Sequence, residues 1–356
     1  MAEPLLRGES TPSRLRWGIA LSALVGVLAA ALVWQGNPGN MGICGACFLR
    51  DLAGALGAQN SKAAIFRPEV AGLVLGAFAW VVVRGRFEAR SGSHAASRFV
   101  LGIWMGIGAL VFLGCPFRLL QRLGGGDGTA LAGAAGLLAG VGLGTIFEKR
   151  GYSVGKTSPA PAALGLLGPV VVLGLLALFL AEKLPSGAGE GVPHAPWALA
   201  LALSLVAGAA LSATGFCAIS ACRQVFRPGK GMLVAALALV AAYAAFSLAT
   251  GKFKAGFEGQ PVAHGDFIAS FFALVLVGLA GVFAGGCPVR QMVMAGEGNG
   301  DALVTAAGIA VGGAVAHNMG LVSTAEGATP SGRVALGVGL VFVLAYAAAV
   351  TRAGKR

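Results

Sequence analysis

The apolar residues of this chain are gathered in long blocks separated by short polar segments. Uncharged or nearly uncharged runs cover Trp17–Trp34, Val70–Val83, Phe99–Phe117, Gly128–Phe147, Thr157–Ala181, Ala195–Cys222, Gly231–Gly251, Phe267–Val289, Ala302–Ala325 and Val334–Thr351. Most reach the roughly 20 residues that an α-helix needs to cross a hydrocarbon core. The pattern predicts an all-α, polytopic membrane protein with ten spans. The first block follows a mixed-charge start, MAEPLLRGESTPSRLR, and lacks a small-residue cleavage site just after it. It is therefore read as a retained helix and not as a signal peptide.

Charge between the blocks sets the orientation. With the N-terminus inside, 17 of the 26 Lys and Arg fall on the inner side and 9 on the outer side, so both termini are expected in the cytoplasm. The chain has 356 residues, of which 56% are apolar and 11% charged, against about 25% charged in a soluble domain. That excludes a soluble globular protein. The 58 glycines suit helices packed closely in lipid, where small side chains let backbones approach. A net charge of +12 would suggest nucleic acid in a soluble protein. Here the basic residues flank apolar blocks, so membrane orientation explains them, an anionic solute is a second use, and no nucleic acid is expected.

The sequence repeats internally. Gly114-Cys115-Pro116-x-Arg118 recurs as Gly286-Cys287-Pro288-x-Arg290 at an offset of 172, and Gly124, Gly126, Gly128, Ala130 and Gly136 match Gly296, Gly298, Gly300, Ala302 and Gly308 at the same offset. Upstream, Gly42-Ile43-Cys44 with Arg50 resembles Gly215-Phe216-Cys217 with Arg223, and Phe66-Arg67-Pro68 recurs as Phe226-Arg227-Pro228, at offsets of 173 and 160. These relations divide the chain into an N-terminal tail (1–16), a first repeat (17–185), a second repeat (186–351) and a C-terminal tail (352–356). Five spans per repeat would make the second copy enter the membrane from the opposite face, an inverted repeat of the kind that recurs in transporters.

Candidate chemistry sits where helix-breaking residues interrupt the apolar blocks. Asn37-Pro38-Gly39-Asn40 precedes Cys44, Gly114 and Pro116 flank Cys115, and Gly285-Gly286 with Pro288 surround Cys287. Broken backbone inside a bilayer is tolerated only where protein or a water-filled cavity satisfies it. Short re-entrant half-helices, one from about Cys44 to Leu56, are the expected form. Thiols are soft, polarisable and weak hydrogen-bond donors, so Cys44, Cys115, Cys217 and Cys287 could contact a sulfur- or selenium-bearing solute without holding it tightly. Weak, multiple sites suit permeation. Arg50, Arg118, Arg223 and Arg290 are expected to supply a positive field for an anion, with Arg118 and Arg290 equally readable as topology anchors at helix ends, the role in which Arg67 and Arg227 are read.

Cys222 reads as a packing residue. Cys44-x-x-Cys47 could be a redox pair, and a membrane thiol oxidoreductase that moves electrons is the first rival function. A soft-metal carrier is the second, disfavoured because carboxylates are scarce in the apolar runs. Gly124-Gly125-Gly126 and Gly296-x-Gly298 lack the Lys-Ser/Thr ending of a nucleotide loop and read as tight turns. His264 and His317 could relay protons, yet a satisfied histidine is the commoner case. No catalytic residue, metal or cofactor is implied.

The run from Asn37 to Asp51 (NPGNMGICGACFLRD) with Ala53-Gly54-Ala55-Leu56-Gly57 resembles the YeeE/YedE family, and most of all its YedE-related selenium-metabolism membrane proteins. Phe112-Leu113-Gly114-Cys115-Pro116, Gln260-Pro261-Val262-Ala263-His264, Gly285-Gly286-Cys287-Pro288-Val289-Arg290-Gln291 and Ala316-His317-Asn318 extend the likeness from about Trp17 to Ser323. The resemblance implies a bacterial inner-membrane transporter, with thiosulfate uptake through cysteine-lined constrictions on the YeeE side and selenium transport on the YedE side. A cytoplasmic sulfur- or selenium-handling protein that receives the solute is a candidate partner. By motif, the pathway cysteines carry over to Cys44, Cys115 and Cys287. The extra thiol in Cys217-Ala218-Ile219-Ser220-Ala221-Cys222, and Gly-Cys-Pro in place of other small residues, depart from the family pattern and leave thiosulfate and a selenium compound both open.

Overall fold

The computed structural model describes residues 5–6, 11–61, 63–185 and 192–353. Most of both expected tails, and the first residues of the second repeat (186–191), lie outside the described residues. Proline, which lacks an N–H and is pre-set for the first helical position, opens α1 (Pro12–Trp34), α3 (Pro68–Val83), α5 (Pro116–Gly124), α12 (Pro288–Gly296) and α14 (Pro330–Ala353). The rest of the first half comprises α2 (Gly45–Ala55), α4 (Ala95–Phe112), α6 (Ala130–Lys149) and α7 (Ala162–Leu180). In the second half are α8 (Trp197–Thr214), α9 (Ala218–Arg223), α10 (Gly231–Ala249), α11 (Phe267–Phe283) and α13 (Gly300–Asn318). A two-residue antiparallel ribbon, β1 (Arg90–Ser91) with β2 (Ser158–Pro159), is a minor addition to a helical protein.

Among the described residues, nine helical segments are long and apolar enough to cross a membrane, with α4–α5, α8–α9 and α11–α12 each counted as one. The protein is thus a helical, multi-pass membrane protein. The block at Val70–Val83 falls short of the others because α3 has only 16 residues, held between Arg67-Pro68 and Arg84-Gly85. Helix α1 starts at Pro12, so residues 12–16, expected in the tail, are already helical. The half-helix expected near Cys44 is present as α2, and three further short helices, α5, α9 and α12, follow the other motif cysteines.

Glycine explains how closely these helices pack. A Cβ on Gly106 of α4 would lie 2.5 Å from the carbonyl oxygen of Ile309 on α13, and one on Gly278 of α11 would lie 3.1 Å from that of Leu137 on α6. Shifting Gly106 and Ile309 by the repeat offset gives Gly278 and Leu137. The same holds for Gly308 against Phe99 and Gly136 against Phe271, and for Gly312 against Ile103 and Gly140 against Val275. So α4 packs on α13 as α11 packs on α6, and α1 on α10 is matched by α3 on α8.

Candidate functional site

Each of the four repeated cysteines occupies the same local position, the residue just before a short helix. Cys44 precedes α2, Cys115 α5, Cys217 α9 and Cys287 α12, all with extended backbone. The reason is local. A helix must start with residues whose N–H groups have no partner within it, and Gly45, Pro116, Ala218 and Pro288 supply first positions that need little else. The sulfurs then lie at the positive ends of four helices.

Neighbour relations string the thiols together. The Cys44 sulfur accepts the Cys47 N–H at 3.4 Å, and its thiol is within hydrogen-bonding reach of Cys115. Cys115 also faces the first N–H groups of α2, at Gly45 and Ala46. On the other side, the Cys217 sulfur accepts the Cys287 N–H at 3.4 Å and lies beside Ser220. The two pairs meet in the middle. A Cβ on Gly45 would fall 2.6 Å from Pro288 backbone carbon and Val289 nitrogen, and Cys115 and Cys287 interact electrostatically. Phe117 and Phe216 cross edge to face at 5.8 Å between the same halves. The order is therefore Cys47, Cys44, Cys115, Cys287, Cys217, with Cys222 next to Cys217. Cys44, Cys115, Cys217 and Cys287 are all free thiols, at most 3% exposed. Cys222 is partly buried against the core, as a packing residue would be.

The arginines divide into two kinds. Arg50 lies 2.5 Å from Asp51 and 2.9 Å from His317 Nε2. Arg223 donates to Glu148 at 2.8 Å and to the Val282 carbonyl. Arg290 makes a two-pronged contact with Glu297 at 2.9 and 2.8 Å. Each of these three touches a carboxylate, which lessens the positive field expected from four arginines, but Asp51 is shared with Arg67 and Glu148 with Arg227, so only Arg290 is matched one to one. Arg118 differs. Fully buried, it donates only to backbone carbonyls, those of Asn40, Leu113, Gly39, Pro261 and Val262. No carboxylate among the described residues pairs with it. Asn40, Leu113 and Val262 all have positive φ, and this turns their carbonyls toward the guanidinium.

Other residues acquire roles that the sequence left unread. Gln121 accepts the Ile43 N–H at 3.1 Å and donates back to the Ile43 carbonyl, holding the backbone that leads into Cys44. Asn37 donates to Glu69 at 2.7 Å and to the Gly42 carbonyl at 3.3 Å. Amide side chains carry no periodic or charge signal, so only the Asn37-Pro38 turn hinted at this. Arg67 is not an exposed anchor: it is 1% exposed and pairs with buried Asp51 at 2.7 Å. Arg227, 43% exposed and 3.7 Å from Glu148, lies at the surface. His264 Nε2 donates to the Val111 carbonyl at 2.8 Å while Nδ1 accepts the Asp266 N–H at 3.2 Å, which satisfies the ring. Among the described residues, no three His, Cys, Asp or Glu side chains gather as a metal site. Gly126, with φ +88°, makes the tight turn between α5 and α6.

No protein-family model matches the chain, and no curated protein matches it.

Proposed function

We propose that the protein is a transporter of the YeeE/YedE kind that passes a small sulfur- or selenium-containing anion across the bacterial inner membrane. One observation carries this reading: four thiols at four half-helix N-termini, contributed equally by two repeats, run into one another in the interior. A soft anion would find a polarisable sulfur and the positive end of a helix at each station. No station would bind it strongly, as release requires. Arg118, the one pathway arginine without a carboxylate partner, and Arg50 are the positive charges that act on Cys47.

Counting α3, each half has five spans, and pairwise contacts that repeat on shifting both partners by 172 residues are what a two-fold axis between the halves produces. Both features support ten spans in two inverted repeats, with both termini cytoplasmic. In that arrangement Cys44 with Cys115 forms the outer constriction and Cys217 with Cys287 the inner one. Thiosulfate and a selenium compound are both candidates, and a cytoplasmic sulfur- or selenium-handling protein would take the solute onward.

Cysteine-to-serine variants at 44, 115, 217 and 287, in proteoliposomes with labelled thiosulfate or selenite, test the proposal. Each is expected to lower uptake at least about tenfold for the true solute, because a hydroxyl is harder and less polarisable than a thiol. Unchanged uptake in every single and combined variant would remove the thiol pathway.

A second reading has its own support, since the thiols of Cys44 and Cys115, and of Cys217 and Cys287, are within reach of each other. A thiol oxidoreductase would join such a pair as a disulfide, releasing two electrons and two protons to an acceptor. Differential alkylation during turnover separates the two, because a transporter keeps all four thiols reduced.

A further inference from the structure

Among the described residues four carboxyl groups are buried, those of Asp51, Glu69, Asp127 and Asp301. Three of them have arginines. Asp51 receives Arg67 at 2.7 Å, Asp127 receives Arg122 at 2.6 Å, and Asp301 lies 3.9 Å from Arg98 while accepting from Ser91, Gly92 and Ser93. Glu69, 1% exposed, has no basic partner among the described residues. Its Oε1 accepts the Asn37 amide at 2.7 Å, and its Oε2 meets no hydrogen-bond donor. Glu69 stands in the first turn of α3, yet it takes up none of the free N–H groups there. A buried carboxylate with neither a counter-charge nor a full set of donors is costly, and an ionisable group at membrane depth marks an ion path by default.

The elements packed on α3 bring no charge to it. Along α7 and α8 there is no charged residue, and Glu182 and Lys183, just past α7, are exposed. Helix α2 brings Arg50 and Asp51, and Arg67 at the start of α3 turns to that same Asp51. Helix α12 brings Arg290, which is held by Glu297. In the loop before α8, His194 has its Nδ1 2.7 Å from the Ala195 carbonyl.

Asn37 shows where the state of this carboxyl would be felt. Its amide also donates to the Gly42 carbonyl at 3.3 Å, two residues ahead of Cys44, and its Oδ1 accepts the Ala195 N–H at 2.9 Å. One side chain thus joins Glu69, the backbone leading to the first thiol, and the second half of the chain. Because the Asn37 oxygen is taken and its NH2 faces Glu69, a hard metal cation would find one carboxylate and no ring of oxygens. A proton needs only Oε2.

We propose that Glu69 is the proton site of the transporter, taking a proton from the outer side and releasing it to the inner side as the anion crosses. This rests on the transport reading above. An inside-negative potential opposes an entering anion, and one proton carried along offsets one unit of its charge. The carboxylate grips the Asn37 amide through a charge-assisted hydrogen bond. The neutral acid grips it less, which lets the Asn37–Ala195 contact between the halves open. By the 160-residue offset Glu69 corresponds to Gly229, so the second half has no such carboxyl.

The test uses the full-length protein in proteoliposomes with labelled thiosulfate or selenite, the membrane potential clamped with potassium and valinomycin. With the outside about one pH unit more acidic than the lumen, one proton per anion permits about tenfold accumulation in the parent. E69Q, uncharged and of the same shape, should show no accumulation driven by the gradient, yet should still exchange internal for external solute, a cycle in which no proton has to leave. E69D should keep part of the accumulation. A pH dye in the lumen should report acidification with solute entry in the parent and none in E69Q, and the Tm of purified E69Q should match the parent's. Accumulation in E69Q that still follows the pH gradient, loss of exchange in a folded E69Q, a sodium gradient that replaces the proton gradient, or parent uptake indifferent to pH would each overturn the proton site while leaving transport itself standing. A parent that moves neither solute would overturn both.

Discussion

The two Gly-Cys-Pro-x-Arg motifs begin alike and end differently. In both, a Cβ on the glycine would lie 3.1 Å from the arginine stem, Gly114 against Arg118 and Gly286 against Arg290. In both, the cysteine precedes a helix opened by proline. The guanidinium groups then part company. Arg118 ties together three separate segments, 39–40, the break after α4 and 261–262, through their carbonyls. Arg290 reaches only Glu297, at the end of its own helix. Repetition has therefore kept the thiol and the broken backbone while the handling of charge has diverged. A latch across three segments resists motion, whereas an ion pair inside one short helix travels with it. On the transport reading, the second-half constriction is therefore expected to move and the first-half constriction to stay fixed.

Removing the guanidinium groups tests that difference most severely. Arg118→Gln should strip several buried carbonyls of their donor, each at roughly 1–3 kcal/mol, and leave three left-handed residues without the contact that holds them. We expect a Tm drop of more than about 10 °C, or no folded protein. Arg118→Lys should not restore it, because one ammonium point cannot serve acceptors spread around a planar fork. Arg290→Gln frees a glutamate whose side chain is 20% exposed and can turn to water, so its loss should be only about 1–2 kcal/mol. Thermal unfolding of the three purified variants decides the matter. Equal losses at 118 and 290 would end the distinction between a fixed and a mobile half.

Much of this architecture was legible beforehand, for identifiable reasons. Long apolar blocks report on spans because the bilayer imposes a length, and proline with glycine reports on breaks because their backbone chemistry is local. Hence α2 was expected within a residue or two of its bounds. The motif pairs also exposed the repeat, since glycine is fixed wherever one backbone crosses another. What stayed hidden was partner choice. Asp51, Glu69, Asp127 and Asp301 are buried, yet they sit in the short helix α2, at helix starts or in a loop between the apolar runs, where a tally of charge within the runs misses them. Asp51 took Arg67 out of the anchoring role and Glu297 took Arg290 out of the free field, and both pairings depend on three-dimensional approach. The clamp on Arg118 was unreadable for another reason, because its acceptors are backbone atoms and leave no residue type as a signature.

The helix crossings sharpen the comparison at a smaller scale. Gly106 and Gly278 are equivalent by the 172-residue shift, but a new methyl group would meet its carbonyl at 2.5 Å in the first case and 3.1 Å in the second. Backbone cannot swing aside as a side chain can, so Gly106→Ala must push α4 off α13. A loss of about 2–3 kcal/mol is expected for Gly106→Ala and about 1 kcal/mol or less for Gly278→Ala. Denaturation in mixed micelles would measure both. A larger loss at Gly278 would mean that α6 against α11 is the tighter crossing.

The smallest difference lies at the helix starts outside the spans. Asp266 caps α11 by accepting the Ala269 N–H at 3.0 Å and also receives Arg333 at 2.9 Å, while the residue before α4, His94, makes no side-chain cap. Burial alone would push the Asp266 carboxyl upward, but the Ala269 N–H and the Arg333 guanidinium outweigh it and hold it below the ordinary carboxylate range. A carboxyl whose folded value is depressed adds stability above its unfolded value, about pH 4, and gives it up as pH falls through the folded value. Asp266→Asn keeps the cap and loses the charge. It should lower Tm by about 1–2 °C at pH 7, with the gap to the parent closing toward pH 3. His94→Asp should raise Tm by a similar amount at pH 7 by giving α4 the cap that α11 already has. If Asp266→Asn keeps its deficit at pH 3, the carboxylate charge is not what separates these two helix starts.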